Sequence, residues 1–157
     1  MLKICGEVLN GRTGHDAGRE LLDRMYREAT GEAPPEIAVA ERGKPYFVTG
    51  QLHFSISHTK KHVFCALADR PVGLDAEEMD RRIDLRLAER ILSKPEKKRF
   101  AAAQDKTAAL LRLWVLKEAA AKLSGEGLRG YPNQTDFDPQ DPRITETDGC
   151  YVAVMTQ

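Results

Sequence analysis

The chain has 157 residues, 41% of them hydrophobic, and its 24 basic residues balance its 24 acidic ones. That length suits one domain able to bury most of its unfolded surface, and the zero net charge offers no global field to attract nucleic acid or a membrane. Cys5, Cys65 and Cys150 lie far apart without metal-ligand spacing and read mainly as buried thiols, so a cytoplasmic protein without signal peptide or disulfide framework is expected.

In chain order, Leu2 to Leu9 reads as a first strand and Asn10 to Gly14 as a loop. Asp16 to Ala29 follows as an amphipathic helix with Leu21, Leu22 and Met25 inward. Gly31 stops that helix, Pro34-Pro35 keeps the chain extended, and Ile37 to Ala40 forms a short strand before a Gly43-Lys44-Pro45 turn. Leu52, Phe54 and Ile56 alternate with His53, Ser55 and Ser57, the pattern of a strand with one buried face. Thr59-Lys60-Lys61 turns into the apolar strand His62 to Ala68, and Asp69-Arg70-Pro71 turns into the strand Val72 to Glu77.

Ile83, Leu87, Ala88, Ile91 and Leu92 then line one face of a helix, with Arg82, Arg86 and Arg90 on the other. Ser93-Lys94-Pro95-Glu96 matches a capping box. A longer, largely buried helix runs from Lys106 to Leu123 and ends at Gly125 and Gly127. Its most apolar stretch, Ala108 to Leu116, contains Arg112 and is too short to span a bilayer. Thr135 to Phe137, Arg143 to Thr147 and Cys150 to Met155 read as closing strands. The order β-α-β-β-β-α-α-β-β predicts an α+β fold rather than a doubly wound sheet.

Asp75 and Glu77 are two residues apart on a strand, so both carboxylates leave the same face. Such a pair suits a hard divalent cation, although solvated charges at a strand end would look the same. Glu78 and Asp80 read as surface acids. On the long helix, Trp114, Glu118, Lys122 and Gly125 form one stripe, in which Glu118 could complete the metal set or take a proton and Lys122 could meet phosphate charge. The same spacing also suits a surface ion pair. The apolar neighbours of this stripe favour function, because a buried charge needs a partner. Ser57 and His58 are adjacent and diverge, which excludes a serine–histidine nucleophilic pair but leaves two separate phosphate contacts open.

Together, Gly43-Lys44-Pro45, Phe54-Ser55-Ile56-Ser57-His58, Val72 to Glu77 and Trp114 to Ala119 resemble the 4′-phosphopantetheinyl transferase superfamily, in particular its two-half branch. Leu87 to Glu96 is similar to the matching stretch of holo-acyl-carrier-protein synthases. The resemblance covers residues 43–128 and implies two pseudo-twofold-related α+β halves, about 1–70 and 71–157, with antiparallel sheets packed on helices. It implies transfer of the phosphopantetheine arm of coenzyme A to a carrier-protein serine, with release of 3′,5′-ADP. By the same resemblance Asp75, Glu77 and Glu118 would hold Mg²⁺ (or Mn²⁺, which also takes oxygen ligands). Glu118 would serve as base, and Lys122 would stabilise phosphate charge, with Lys117 a weaker candidate. Ser57 and His58 would contact coenzyme A phosphates, and Lys44 its nucleotide end.

Carrier proteins of this class are acidic helical bundles, so Arg81, Arg82, Arg86 and Arg90 become a candidate dock. The chain is short for that branch at both ends, and a monomer is the expected form. A non-catalytic coenzyme A or carrier binder is a second reading. A metal-dependent nuclease is a third, disfavoured by Met79 standing where such enzymes commonly carry a lysine and by the lack of basic excess.

Overall fold

The computed structural model describes residues 1–128 and 132–157. Two three-stranded antiparallel sheets, each with a long helix against one face, organise an α+β fold. The first sheet contains β1 (Leu2–Val8), β4 (His53–His58) and β5 (His62–Ala68) in the order β1-β5-β4. Helix α1 (Gly14–Thr30) covers it, with Ala17, Leu21, Leu22 and Met25 packed on Val63, Cys65 and Leu67. Thr13 starts the helix by accepting from the Asp16 N–H at 3.1 Å, and Gly31 ends it at φ +78°, which a glycine adopts without strain. β2 (Ile37–Val39) and β3 (Pro45–Phe47) form a small hairpin beside this layer, and β3 was not anticipated from the sequence.

The second sheet runs β6-β8-β7, from β6 (Val72–Glu78), β7 (Ile144–Thr147) and β8 (Cys150–Thr156). Asp148 and Gly149, both at positive φ, close the β7–β8 hairpin, as an Asp-Gly pair favours. Helix α4 (Lys106–Ser124) lies on this sheet through Leu111, Val115, Leu116 and Ala119. The opposite face of β6, through Leu74 and Ala76, packs on Phe64 and Ala66 of β5 and joins the two layers in one core. No helix among the described residues is long and apolar enough to cross a membrane.

Three expectations need correction. The arginine-bearing segment is no continuous helix: it forms a single 3₁₀ turn at Leu85–Leu87 and a short helix α2, Ala88–Ile91. Asp84 caps that turn and holds the Arg86 guanidinium in a bidentate grip, which favours a tight local structure. Residues 135–137 form no strand; Thr135 and the Phe137 N–H instead bond to the Glu96 carboxylate. Glu78 is buried rather than a surface acid, because it is the last residue of β6 on the face turned to β5. The capping box is present, with Ser93 and Glu96 opening α3 (Lys94–Ala102).

Candidate active site

Strand β6 is an edge strand, so its outer N–H groups need partners from outside its own sheet. Two serines of β4 supply them. Ser55 Oγ accepts from the Leu74 N–H at 2.9 Å, and Ser57 Oγ accepts from the Ala76 N–H at 3.2 Å. Ser57 also donates to Asp75 Oδ1 at 3.0 Å. Its buried hydroxyl is therefore committed to holding Asp75 and turned away from solvent.

Gly73 sets how closely α4 approaches β6. A Cβ at that position would stand 2.1 Å from the Ala119 carbonyl oxygen and 2.4 Å from the Leu123 nitrogen. This contact brings Glu118 and Lys122 over the β6 face that carries Asp75 and Glu77. Lys122 Nζ donates to Asp75 Oδ1 at 2.8 Å, while Arg81 pairs with Glu77. Asp75 Oδ2 is buried and has no hydrogen-bond partner.

The electrostatics follow from this crowding. Burial pushes the Glu118 carboxyl up to about 7, and the negative charges of Asp75 and Glu77 add to the shift. Burial likewise raises Asp75 against the opposing pull of Lys122, and raises Glu77 against that of Arg81. Three acids that resist ionisation together, one of them with an orphaned oxygen, fit a hard divalent cation with oxygen ligands. Their oxygens are not gathered to ligand spacing; Lys122 and Arg81 stand against them as counter-charges. Among the described residues the group with three ligand atoms within 4.8 Å of one another is a different one, His62, Glu78 and Cys150.

Glu118 and Lys122 line a cavity of about 200 Å³ whose other wall holds Gly43, Lys44 and Ile56. Lys44 Nζ donates to the Leu123 carbonyl at 2.9 Å, satisfying an end carbonyl of α4, and burial lowers its pKa. A second cavity, of about 680 Å³, is lined by His58, Lys60, Glu77, Arg81 and Arg82. The exposed His58 ring lies against Gly14 in the first turn of α1, where a Cβ would stand 2.2 Å away. The structure thus groups Asp75, Glu77, Glu118 and Lys122 where α4 meets β6, with Ser57 buried behind Asp75, Lys44 across the smaller cavity from Glu118 and Lys122, and His58 on the larger cavity with Glu77.

Lys117 goes elsewhere. It is fully buried on the far side of α4 and bonds Glu96 Oε1 at 2.6 Å and the Thr135 hydroxyl. Glu96 also accepts from the Ser93 N–H at 2.8 Å, the Phe137 N–H at 3.0 Å and the Thr135 hydroxyl at 2.8 Å. Burial pushes the Glu96 carboxyl up, but these donors outweigh it and leave it below the ordinary carboxylate value. The residues missed from sequence are Ser55, Gly14 and Gly73, whose signals (a second inward serine, glycines at element starts) are too common to be read alone.

Residues 71–150 match the sequence model of the 4′-phosphopantetheinyl transferase superfamily. The chain is 34% identical over 127 residues to the 4′-phosphopantetheinyl transferase psf-1 of Bacillus pumilus, covering 80% of this chain and 50% of that protein. It is 34% identical over 114 residues to the 4′-phosphopantetheinyl transferase gsp of Aneurinibacillus migulanus, covering 69% and 47%. It is 32% identical over 113 residues to the 4′-phosphopantetheinyl transferase Sfp of Bacillus subtilis strain 168, covering 70% and 49%. The chain spans about half the length of these curated relatives.

Proposed function

Because the chain belongs to the 4′-phosphopantetheinyl transferase superfamily, we propose that it transfers the phosphopantetheine arm of coenzyme A to a serine of an apo carrier protein, releasing 3′,5′-ADP. The observation that carries this reading is the grouping of Glu118, raised to about 7, with Asp75, Glu77 and Lys122 where α4 meets β6. A carboxyl with that pKa can take the carrier serine's proton near neutral pH. The serine oxygen then bonds to the phosphorus bearing the pantetheine arm, and the pyrophosphate bridge breaks toward the nucleotide.

Lys122 sits beside Asp75 with a partly exposed ammonium, suited to the charge that develops on the leaving phosphate. Asp75, Glu77 and Glu118 would hold the divalent cation, Mg²⁺ by preference; bound, it would polarise the pyrophosphate oxygens and offset their charge. Lys44 borders the same cavity and suits the nucleotide end, and His58, beside the N-terminal turn of α1, suits a phosphate. Ser57 acts by orienting Asp75, and Lys117 has a structural role. The reading takes residues 1–70 and 71–157 as two halves of one monomeric domain, with the carrier docking near Arg81, Arg82, Arg86 and Arg90.

Intact mass of several apo carrier proteins after incubation with this protein, coenzyme A and Mg²⁺ tests the proposal. A gain of one phosphopantetheine arm, slowed about a hundredfold or more by Glu118→Gln, is expected. No gain on any carrier despite coenzyme A binding would replace the enzyme with a non-catalytic binder.

A further inference from the structure

Glu77 and Glu78 are adjacent on β6 and therefore point to opposite faces of the sheet. Glu77 belongs to the cleft, whereas Glu78 meets two residues from other strands. In the β6–β8 register Glu78 stands directly opposite Cys150, so both side chains share a face. His62, the first residue of β5, reaches the same point from the other sheet. His62 Nδ1 is 2.9 Å from Glu78 Oε1, Cys150 Sγ is 3.4 Å from Glu78 Oε2, and Cys150 Sγ is 3.6 Å from His62 Nδ1.

These separations match a metal centre's. Bonds of about 2.0–2.3 Å to nitrogen, oxygen and sulfur in a tetrahedron put neighbouring donors about 3.3–3.6 Å apart. The two Cys150 contacts already have that length; His62 and Cys150 touch different oxygens of Glu78, and one donor atom from each of the three residues lies within 4.8 Å of the other two. Cys150 is fully buried, and the side chains of His62 and Glu78 are only 13% and 10% exposed, so the donors are fixed by three strands rather than by a mobile loop.

We propose that His62, Glu78 and Cys150 form a second metal site, selective for Zn²⁺ or a similar late first-row cation, that clips β5 of the first sheet to β6 and β8 of the second. An imidazole, a thiolate and a carboxylate suit that class of cation, whereas Mg²⁺ takes oxygen donors. Glu78 and Thr59 open onto the 680 Å³ cavity, which gives the ion an entry path and leaves its fourth position to water. Binding releases the thiol proton to solvent, and the thiolate and carboxylate together neutralise the ion's charge. The site is independent of the transfer reaction because its donors lie on the face of β6 turned away from Glu118.

The test is anaerobic titration of reduced, metal-stripped protein with Co²⁺ in excess Mg²⁺, read by absorption. One equivalent of Co²⁺ should produce a sulfur-to-cobalt charge-transfer band with intense four-coordinate visible bands, and one equivalent of Zn²⁺ should abolish both. Cys150→Ser should remove the charge-transfer band, and His62→Gln should weaken binding at least tenfold. Glu118→Gln should leave the spectrum unchanged. Absence of the sulfur band in folded wild-type protein would overturn the site, as would a band that survives in Cys150→Ser.

Discussion

Two lysine–carboxylate pairs stand on opposite sides of α4, and they differ in what is left over. Lys117 and Glu96 are both fully buried, and the Glu96 oxygens together accept from two backbone N–H groups, an ammonium and a hydroxyl. Lys122 and Asp75 form a pair at 2.8 Å against 2.6 Å for Lys117 and Glu96, yet Asp75 keeps an oxygen with no donor and faces two more acids. Burial and charge are common to both. What separates scaffold from site is the unsatisfied acceptor, since a native fold rarely leaves a buried polar atom without a partner.

The largest expected effect breaks the satisfied pair. Lys117→Met leaves Glu96 as an uncompensated buried charge and should cost about 3–5 kcal/mol of stability in urea unfolding. Lys122→Met should cost about 1 kcal/mol, because its ammonium is one-third exposed and Asp75 already tends toward its neutral form. Equal losses for the two variants would erase the distinction between the pairs. If instead Lys122→Met lost transfer activity while keeping most of its stability, the distinction would sharpen.

Why sequence could not separate these lysines is physical. Helix α4 is apolar nearly all round, so no stripe fixes its rotation, and Lys117 and Glu118 differ by only one helical step of about 100°. Their opposite fates are decided by Glu96, twenty-one residues earlier, and by the close approach at Gly73. The alternation in Phe54 to His58, the Asp75/Glu77 pair and the capping box were legible because each depends on local periodicity. Ser57's bond to Asp75 was not, since β4 and β6 belong to different sheets and are joined by side-chain bonds rather than by a strand ladder. For the same reason Glu78 was misread, because its burial depends on β5 lying across that face.

A smaller effect probes the unsatisfied pair through pH. Glu118 rises from its ordinary 4.5 to about 7 in the folded chain, first through burial and then through Asp75 and Glu77. An acid whose folded pKa exceeds its unfolded one stabilises the fold below the unfolded value, and that contribution disappears as pH rises through the folded one. Metal-free protein should therefore lose stability between pH 4.5 and about 7, by about 1–2 kcal/mol after allowing for solvent screening of a part-exposed group. That corresponds to a few degrees in Tm. Adding Mg²⁺ above pH 7 should restore it, and Glu118→Gln should flatten the metal-free profile. A profile equally steep in Glu118→Gln would assign the slope to other groups.

The contrast between committed and available charge extends to the arginines near the cleft mouth. Arg81 is paired with Glu77, and Arg86 is held bidentately by Asp84. Arg82 is exposed on the wall of the larger cavity and makes no ion pair with any described residue. An acidic carrier meeting this face would gain more from Arg82, whose charge is not already offset, than from Arg86. Charge reversal at a rim position acts mainly on encounter rate and salt dependence. Arg82→Glu should thus slow carrier modification at low salt by about tenfold and leave coenzyme A binding unchanged. Arg86→Glu should slow it less, because the Arg86 guanidinium is already engaged by Asp84 rather than free to pair directly with the carrier. Equal slowing by both variants would mean the carrier senses the summed field of the segment, and loss of coenzyme A affinity in Arg82→Glu would move that arginine from the dock into the substrate cleft.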